Sequence, residues 1–175
     1  MLCEAVQGLK ITPDGIYVDV TFGGGGHSKE IINHLSADGR LFAFDQDQEA
    51  FENQFEDHRF HLINGNFSDI KRHLKFHGIT AVDGILADFG VSSSQFDSGE
   101  RGFSTRFDGP LDMRMNLSGQ LDASQVINEY PFEDLRSILS QYGELRNSNK
   151  LATAIVIKRE EAPIAVSYTH LTLPT

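Results

Sequence analysis

The sequence of 175 residues predicts an α/β protein whose core is a doubly wound parallel sheet. Short apolar segments alternate four times with helix-like segments, which is the pattern of parallel strands joined by right-handed crossovers. The first apolar segment runs directly into four glycines at 23–26, and the second ends at Asp45. Because ligands of such sheets bind outside the carboxyl ends of the strands, these features predict a site for a nucleoside cofactor there.

Four strands are predicted, and their near-continuous apolar character suits strands that helices cover on both faces. They occupy residues 16–20, 40–44, 60–63 and 82–89. A helix is predicted over 27–35, and a more polar helical segment over 48–56. The next helix is expected to begin with Ser68 as its cap and to stop at Gly78.

The regular alternation ends after the fourth strand. Residues 90–119 are rich in glycine and serine and lack any sustained period, so we predict a long functional loop there. A helix follows Pro131, and another covers residues 146–161. Two helices in succession indicate the start of a helical subdomain inserted into the sheet domain. We therefore expect a sheet domain at 1–115 and the inserted helices at 116–164.

The last eleven residues, 165–175, differ from the rest of the chain because they contain no Asp, Glu, Lys or Arg and are rich in threonine. Such a segment is typical of translated vector or adaptor sequence, and we expect a non-native tail. The alternative is a genuine terminal strand, which requires a partner that the sequence does not identify.

The composition is that of an ordinary soluble domain, with 39% hydrophobic and 23% charged residues. No apolar run approaches the roughly 20 residues of a membrane-spanning helix, so we expect a cytoplasmic protein without a membrane partner. The single cysteine, Cys3, excludes an intramolecular disulfide. His73 and His77 are four residues apart, but an exposed helix face explains them more simply than a metal site, and no metal is expected.

The formal charge of −10 argues against broad nonspecific binding to nucleic acid, which depends on neutralising many phosphates. A local basic segment lies between residues 145 and 159, where four cations stand without an acid: Arg146, Lys150, Lys158 and Arg159. A solvated helix face is the simpler interpretation of that segment.

The glycine loop itself favours one cofactor over another. Gly23 and Gly25 permit a tight turn and a close approach of the backbone to a ligand. Ser28 occupies the third glycine position of the dinucleotide fingerprint G-x-G-x-x-G, which disfavours NAD. Asp19 instead gives the pattern Asp-x-x-x-Gly-x-Gly, which is similar to the loop that holds the methionine part of S-adenosylmethionine in class I methyltransferases. That cofactor has an amino group for a carboxylate to meet.

Three longer motifs follow the fourth predicted strand. They are Asp88-Phe-Gly-Val-Ser-Ser-Ser-Gln95, Glu100-Arg-Gly-Phe-Ser104 and Asp108-Gly-Pro-Leu-Asp-Met-Arg-Met115. Together with residues 14–19 and the glycine loop, they closely resemble the ribosomal RNA small subunit methyltransferase H family over residues 2–164. The resemblance implies a class I, Rossmann-like methyltransferase sheet, present here incompletely, with the start of an inserted helical subdomain.

The resemblance also implies an activity, namely transfer of a methyl group from S-adenosylmethionine to the exocyclic N4 amine of a cytidine in small-subunit (16S) ribosomal RNA. The RNA would be naked or part of an assembling small subunit. Seven residues would contact the cofactor: Gly25, Gly26, His27, Asp45, Phe67, Asp88 and Gln95. Taken singly, each of these also has a structural explanation, such as a helix cap or a core position.

Asp88 has a second implied role. The cytidine amine is a poor nucleophile, so a hydrogen-bond acceptor on its N–H should help, and Asp88 or a carbonyl of the following loop is the candidate catalytic group. The target base must also leave its stack, and an aromatic ring could then stack on it. The candidates are Phe89, Phe96 and Phe103.

The chain departs from the family in three respects. Ser94 stands where proline is common, family members open with a further short segment before the equivalent of Leu2, and they continue well beyond Ile164. We therefore expect about the first half of the fold, an open sheet edge and marginal stability. A homodimer is compatible with this sequence. Two functional alternatives remain, a noncatalytic fragment that binds the cofactor weakly and an NAD-type dehydrogenase domain.

Overall fold

The computed structural model describes residues 2–167. Its sheet contains four parallel strands: β1 (Ile16–Asp19), β2 (Arg40–Asp45), β3 (Phe60–Asn64) and β4 (Gly84–Leu86). The strand order is β3-β2-β1-β4, so the chain builds outward from one side of β1 and then returns to its other side. The predicted α/β class with a parallel, doubly wound sheet is confirmed.

Helices cover both faces of this sheet. Two of them, α1 (Leu2–Gly8) and α2 (Gly26–His34), pack with the face that carries Tyr17 and Leu41. A third, α3 (Ile70–Phe76), packs with the opposite face, which carries Phe42. Residues 41–44 are at most 1% exposed, which explains why β2 is apolar at consecutive positions. The sequence did not predict α1.

The start of α3 differs from the prediction that Ser68 caps it. Asn66 caps a short 3₁₀ turn over Phe67–Asp69, because its side chain accepts a hydrogen bond from the backbone N–H of Ser68 at 2.9 Å. α3 begins only at Ile70, and its N-cap, Asp69, makes no side-chain capping hydrogen bond.

Two other elements of the sheet region are shorter than predicted. The polar segment after β2 is a 3₁₀ helix, Gln48–Asn53, whose start is fixed by a hydrogen bond from the Glu49 backbone N–H to the Asp47 carboxylate. β4 spans Gly84–Leu86 rather than residues 82–89, since it pairs with β1 alone and Ile85 is 53% exposed.

The described chain divides after Ser92 into two compact units, of which the second is helical. Its helices are α4 (Ser93–Asp97), α5 (Ala123–Glu129), α6 (Phe132–Gln141) and α7 (Ser148–Glu161). The last two match the two helices predicted after the long loop. Their core consists of Leu135, Ala152, Ile155 and Ile164. The predicted boundary between residues 115 and 116 stays a prediction.

A capping box explains why α5 begins where it does, although the sequence analysis did not predict this helix. The Asp122 carboxylate accepts a hydrogen bond from the Gln125 backbone N–H at 2.8 Å, and the Gln125 side chain accepts one from the Asp122 backbone N–H at 3.2 Å. Seven residues is a short helix, so its periodicity is weak in the sequence.

The first residues of the predicted tail have a pairing partner in the second unit. Val166 forms an antiparallel bridge with Pro110, and the backbone N–H of Ser167 donates to the carbonyl of Gly109 at 3.0 Å. This is the kind of partner that the terminal-strand alternative requires. Residues 168–175 lie outside the described part of the chain, and the prediction of a non-native tail stays a prediction.

Candidate functional site

The carboxyl ends of the strands in the first unit place several polar residues along one edge of the sheet. β1 ends at Asp19 and β2 at Asp45, and these two strands are neighbours. Asp88 follows β4, which pairs with the other side of β1. Because parallel strands end at the same edge, the loops after all three strands meet there.

Asp19 holds the start of the glycine loop from within the core. Its side chain is fully buried, and its carboxylate accepts a hydrogen bond from the Ser28 hydroxyl at 2.8 Å and one from the Thr21 backbone N–H at 3.1 Å. Burial raises the pKa of Asp19, while the hydrogen bonds from Ser28 and Thr21 and the nearby His27 oppose that rise. In this structure Asp19 therefore supports the loop rather than facing an open site.

The glycine loop adopts a backbone conformation that needs glycine at two positions. Gly23 has φ 49° and Gly25 has φ 73°, both in the left-handed region. A β-carbon at Gly25 would also lie 2.9 Å from the ring of Phe22. Gly24 and Gly26 are exposed, so the loop presents bare backbone just before and at the start of α2.

Asp45 connects this loop to β2. One carboxylate oxygen of Asp45 accepts a hydrogen bond from the Gly23 backbone N–H at 2.8 Å, and the other accepts one from the Asp47 backbone N–H at 2.9 Å. The Asn53 side-chain amide donates to the Gly23 carbonyl at 3.2 Å. The predicted ribose-binding carboxylate therefore lies directly against the glycine loop. Both the backbone N–H and the carbonyl of Gly23 are hydrogen-bonded.

Thr21 links the same loop to the segment that contains Asp88. The Asp88 backbone N–H donates to the Thr21 hydroxyl at 2.8 Å, which leaves the Asp88 side chain exposed at the carboxyl edge. Among residues 2–167, no hydrogen bond or ion pair occupies the Asp88 carboxylate. A carboxylate in that state can accept a hydrogen bond from a ligand.

Two exposed aromatic rings meet above this edge. Phe67 begins the short turn after β3 and is 41% exposed, and Phe89 follows β4 and is 72% exposed. Their ring centroids are 5.5 Å apart at an interplanar angle of 50°. Exposed rings in contact at the end of a sheet offer a surface on which a planar base can stack.

The remaining predicted contacts are His27 and Gln95. His27 lies in the first turn of α2, where it is half-buried and close enough to influence Asp19 electrostatically. Gln95 belongs to the second unit, where it is buried within α4. The first unit thus brings together six of the seven predicted cofactor contacts along its carboxyl edge, that is, all but Gln95.

Sequence reasoning did not identify two residues that shape this edge. Thr21 bridges two loops through its hydroxyl, and Asn53 restrains Gly23 through its amide. A threonine immediately after a strand is a weak signal, and nothing in the local sequence marks Asn53, because it lies thirty residues from the loop that it contacts.

Two general features of the described residues bear on the site. Residues 2–167 contain no group of three or more His, Cys, Asp and Glu side chains arranged to hold a metal ion. None of the helices in this part of the chain has the length and apolarity that crossing a bilayer requires.

Comparison with known proteins gives a family match along nearly the whole chain. Residues 1–171 match the model of the MraW methylase family. A ribosomal RNA small subunit methyltransferase H from Flavobacterium johnsoniae is 62% identical over 164 residues, which are 94% of this chain and 54% of the relative. Its counterpart from Christiangramia forsetii is 59% identical over 167 residues, 95% of this chain and 55% of the relative.

The chain therefore spans about half the length of the curated relatives that it matches. One solved structure, a putative methyltransferase from an antibiotic biosynthesis pathway of Anabaena variabilis, aligns with 83% of this chain and 61% of its own. At 13% sequence identity and a TM-score of 0.38, this likeness is too low to support a conclusion.

Proposed function

The chain belongs to the MraW methylase family, and we propose that it binds S-adenosylmethionine at the carboxyl edge of its sheet and takes part in methylating the N4 amine of a cytidine in small-subunit ribosomal RNA. The observation that carries the proposal is the hydrogen bond from Gly23 to Asp45, because it joins the bare glycine backbone to a strand-end carboxylate. The proposed RNA substrate implies a cytoplasmic location.

The residues at this edge fit such a cofactor. Gly24 and Gly26 offer exposed backbone, and no atom lies within 4 Å of a β-carbon built at Gly24, so a ligand can approach the chain closely. Each carboxylate oxygen of Asp45 accepts one backbone N–H and retains a lone pair for a ribose hydroxyl. Phe67, which is 41% exposed in the turn after β3, offers a ring for the adenine.

S-adenosylmethionine supplies a methyl group that is already electrophilic, so the work left to the protein is alignment with the amine. In the proposed mechanism, the exposed Asp88 carboxylate accepts a hydrogen bond from the cytidine N–H, so localises the nitrogen lone pair, and takes the proton that the amine loses on methylation. The hydrogen bond from the Asp88 backbone N–H to Thr21 restrains the backbone that carries this carboxylate relative to the glycine loop. Phe89 provides an exposed ring for the displaced base.

The dehydrogenase alternative rests on the glycine loop alone and is disfavoured by Ser28. The Ser28 side chain is buried and donates to Asp19 at 2.8 Å, so this position serves the loop's own support. In the dinucleotide fingerprint the corresponding glycine allows close packing of the helix against the strand.

Calorimetry with S-adenosylmethionine and with NAD tests the cofactor. We expect binding of S-adenosylmethionine and none of NAD, and Asp45→Ala should weaken binding about tenfold because a charged hydrogen bond and the loop anchor are lost together. Asp38→Ala, which removes an exposed carboxylate at the other edge of the sheet, is the matched control and should bind normally. Binding of NAD in preference would overturn the proposal.

A radiolabelled methyl-transfer assay on small ribosomal subunits tests the reaction. We expect incorporation that Asp88→Ala lowers by a factor of about 10² or more, since positioned acceptors contribute that much to proton-transfer chemistry. Asp134→Ala in the second unit removes an exposed carboxylate and should leave incorporation unchanged. Cofactor binding without any incorporation would favour the noncatalytic alternative.

A further inference from the structure

A cluster of basic and aromatic side chains lies in the first unit at the amino edge of the sheet, opposite the glycine loop. Arg40 opens β2 and His61 lies in β3, where it is in register with Phe42. Because side chains alternate along a strand, Arg40 and Phe42 lie on the same sheet face, which is the face covered by α3. His77, the residue after α3, reaches this same position.

The rings of this cluster are in mutual contact. His61 stacks on Phe42 with centroids 5.0 Å apart, and His77 lies 5.2 Å from Phe42 and 5.7 Å from His61. Phe76 packs edge-on against His77 at 5.5 Å and is itself 87% exposed. Packing of the sheet core does not explain the position of Phe76, because Leu74 of α3 already covers that core. Phe76 instead stays exposed beside two imidazoles.

The charges of the cluster lack a counterion. No ion pair engages Arg40, His61 or His77 within the described range 2–167. The nearby Asp57 is occupied by Arg59 at 2.7 Å. Burial lowers the pKa of His61, and the like charges of His77 and Arg40 lower it further.

A concave surface accompanies these groups. A depression between the loops that precede β2 and β3 is lined by Asp38, Gly39, Arg40, His58, Arg59 and His61. Lys75 adds a cation in the last turn of α3, next to Phe76 and His77. In a chain whose net charge is −10, such a region is where a polyanion meets the least repulsion.

We propose that Arg40, His61, Phe76 and His77 form a second contact site for single-stranded RNA, in which the cations hold a phosphodiester and Phe76 stacks on an unpaired base. A positively charged groove combined with an exposed aromatic ring is how proteins bind single-stranded nucleic acid without reading its sequence. The proposal rests on RNA being the substrate of the proposed function, and it places an RNA contact at the sheet edge remote from the methyl-transfer site.

Fluorescence anisotropy of the 175-residue chain with a fluorescein-labelled single-stranded oligouridylate tests the site. We expect Phe76→Ala to raise the dissociation constant about tenfold, as loss of one base–aromatic stack does. Arg40→Gln should weaken binding similarly. It should also reduce the slope of log affinity against log salt concentration by about 1, the amount expected for one lost phosphate contact. Both side chains are exposed, so neither change removes core packing.

Matched controls come from the second unit. Tyr142→Ala removes a ring that is 82% exposed, and Arg136→Gln removes one surface cation. Both should bind the oligonucleotide as the unaltered chain does. Equal losses in the controls, no loss in the Arg40 and Phe76 variants, or no binding by the unaltered chain would each overturn the proposal.

Two further measurements distinguish an RNA site from an extension of the cofactor site and from a site for small anions. Calorimetry with S-adenosylmethionine on the Arg40→Gln and Phe76→Ala variants should give unchanged affinity, so that failure of the cofactor proposal and failure of the RNA site are distinguishable. Inorganic phosphate at constant ionic strength should compete poorly with the oligonucleotide. The RNA proposal is overturned if phosphate displaces the oligonucleotide fully and Phe76→Ala leaves the dissociation constant unchanged. The site would then bind small anions only.

Protonation of His61 gives the site a pH dependence. RNA affinity should rise in acid because a protonated imidazole attracts phosphate, and the rise should lie below the ordinary histidine value of about 6.5, since burial and the charges of His77 and Arg40 lower the pKa of His61. His61→Asn should flatten that dependence, although Asp38, Arg40, His58, Arg59 and His77 remain around this position. A pH profile of this variant identical to that of the unaltered chain would contradict the role of His61.

Discussion

At the scale of single residues, Gly25 and Gly24 differ sharply although they are adjacent in one loop. Gly25→Ala forces a left-handed backbone on alanine and places its β-carbon 2.9 Å from the Phe22 ring. We expect a loss of about 1–3 kcal/mol in the free energy of unfolding. Gly24→Ala meets open space and should change stability by less than about 0.5 kcal/mol. Urea unfolding of both variants checks the contrast, and equal stabilities would show that the loop relaxes freely.

Asp19 carries a stability cost that depends on pH. Its pKa is raised in the folded chain, mainly by burial, so its contribution is most favourable below the unfolded value of about 4 and is lost as the pH rises through the folded value. Asp19→Asn keeps an acceptor for Ser28 or Thr21 without a buried charge. We therefore expect the variant to melt higher than the unaltered chain at neutral pH and the difference to shrink in acid.

Thermal melts over a pH series measure this difference. An Asn variant that is less stable at every pH would mean that the hydrogen bonds to the Asp19 carboxylate outweigh its desolvation. Calorimetry with S-adenosylmethionine on the same variant separates loop support from fold stability, since a loop that loses its buried anchor should bind the cofactor less tightly.

At the scale of elements, Arg59 ties the end of α2 to the start of β3. Its guanidinium makes two hydrogen bonds to Asp57, at 2.9 and 2.7 Å, and one to the Leu35 carbonyl at 2.6 Å. Arg59→Gln should lower the free energy of unfolding by about 1–3 kcal/mol, because it leaves these partners unmatched. Arg72→Gln breaks an exposed pair with Asp69 and should cost less than about 1 kcal/mol.

Acid unfolding gives a second measure of the same connection. Hydrogen bonding from Arg59 lowers the pKa of Asp57 to about 2, so the stability that this pair contributes is present above about 4 and is lost as the pH falls toward 2. Arg59→Gln should remove that part of the pH dependence. If its acid unfolding curve parallels that of the unaltered chain, the pair contributes little to stability.

The elements also show what the sequence could and could not predict. The strands were predictable because strands buried on both faces are apolar at nearly every position, as residues 41–44 are. Helices α1, α4 and α5 were missed because five to seven residues hold at most two turns of periodicity. Ser68 was wrongly predicted to cap α3, because a 3₁₀ turn capped by Asn66 precedes that helix and the sequence does not separate the two elements.

The residues of the candidate site also differ in whether the sequence could predict them. Asp45 and the glycine loop were predictable because their roles follow from position at strand ends. Asn53 was not, because its hydrogen bond to Gly23 depends on how a 3₁₀ helix folds back over the loop. The buried state of Asp19 was also not predictable, since a carboxylate at a strand end has the same sequence pattern whether it faces a ligand or a serine.

At the scale of the whole molecule, the two compact units have separate cores. Ile31 is fully buried in the sheet unit, and Leu135 is 1% exposed in the helical unit. We expect Ile31→Ala and Leu135→Ala each to cost about 2–5 kcal/mol. Each should accelerate hydrogen exchange chiefly in the peptides of its own unit. Mass spectrometry of exchange measures both variants, and uniform acceleration over residues 2–167 would show a single cooperative unit instead.

The way Gly23 is held bears finally on the kinetics of ligand capture. Its N–H and its carbonyl are both hydrogen-bonded by protein groups, which lie at the end of a different strand or beyond it. A loop that the protein's own hydrogen bonds restrain has little conformational entropy to lose on binding, so we expect no separate folding step. Cofactor association should therefore proceed in a single concentration-dependent phase, and residence time rather than capture should be the quantity that mutations at Asp45 and Asn53 change.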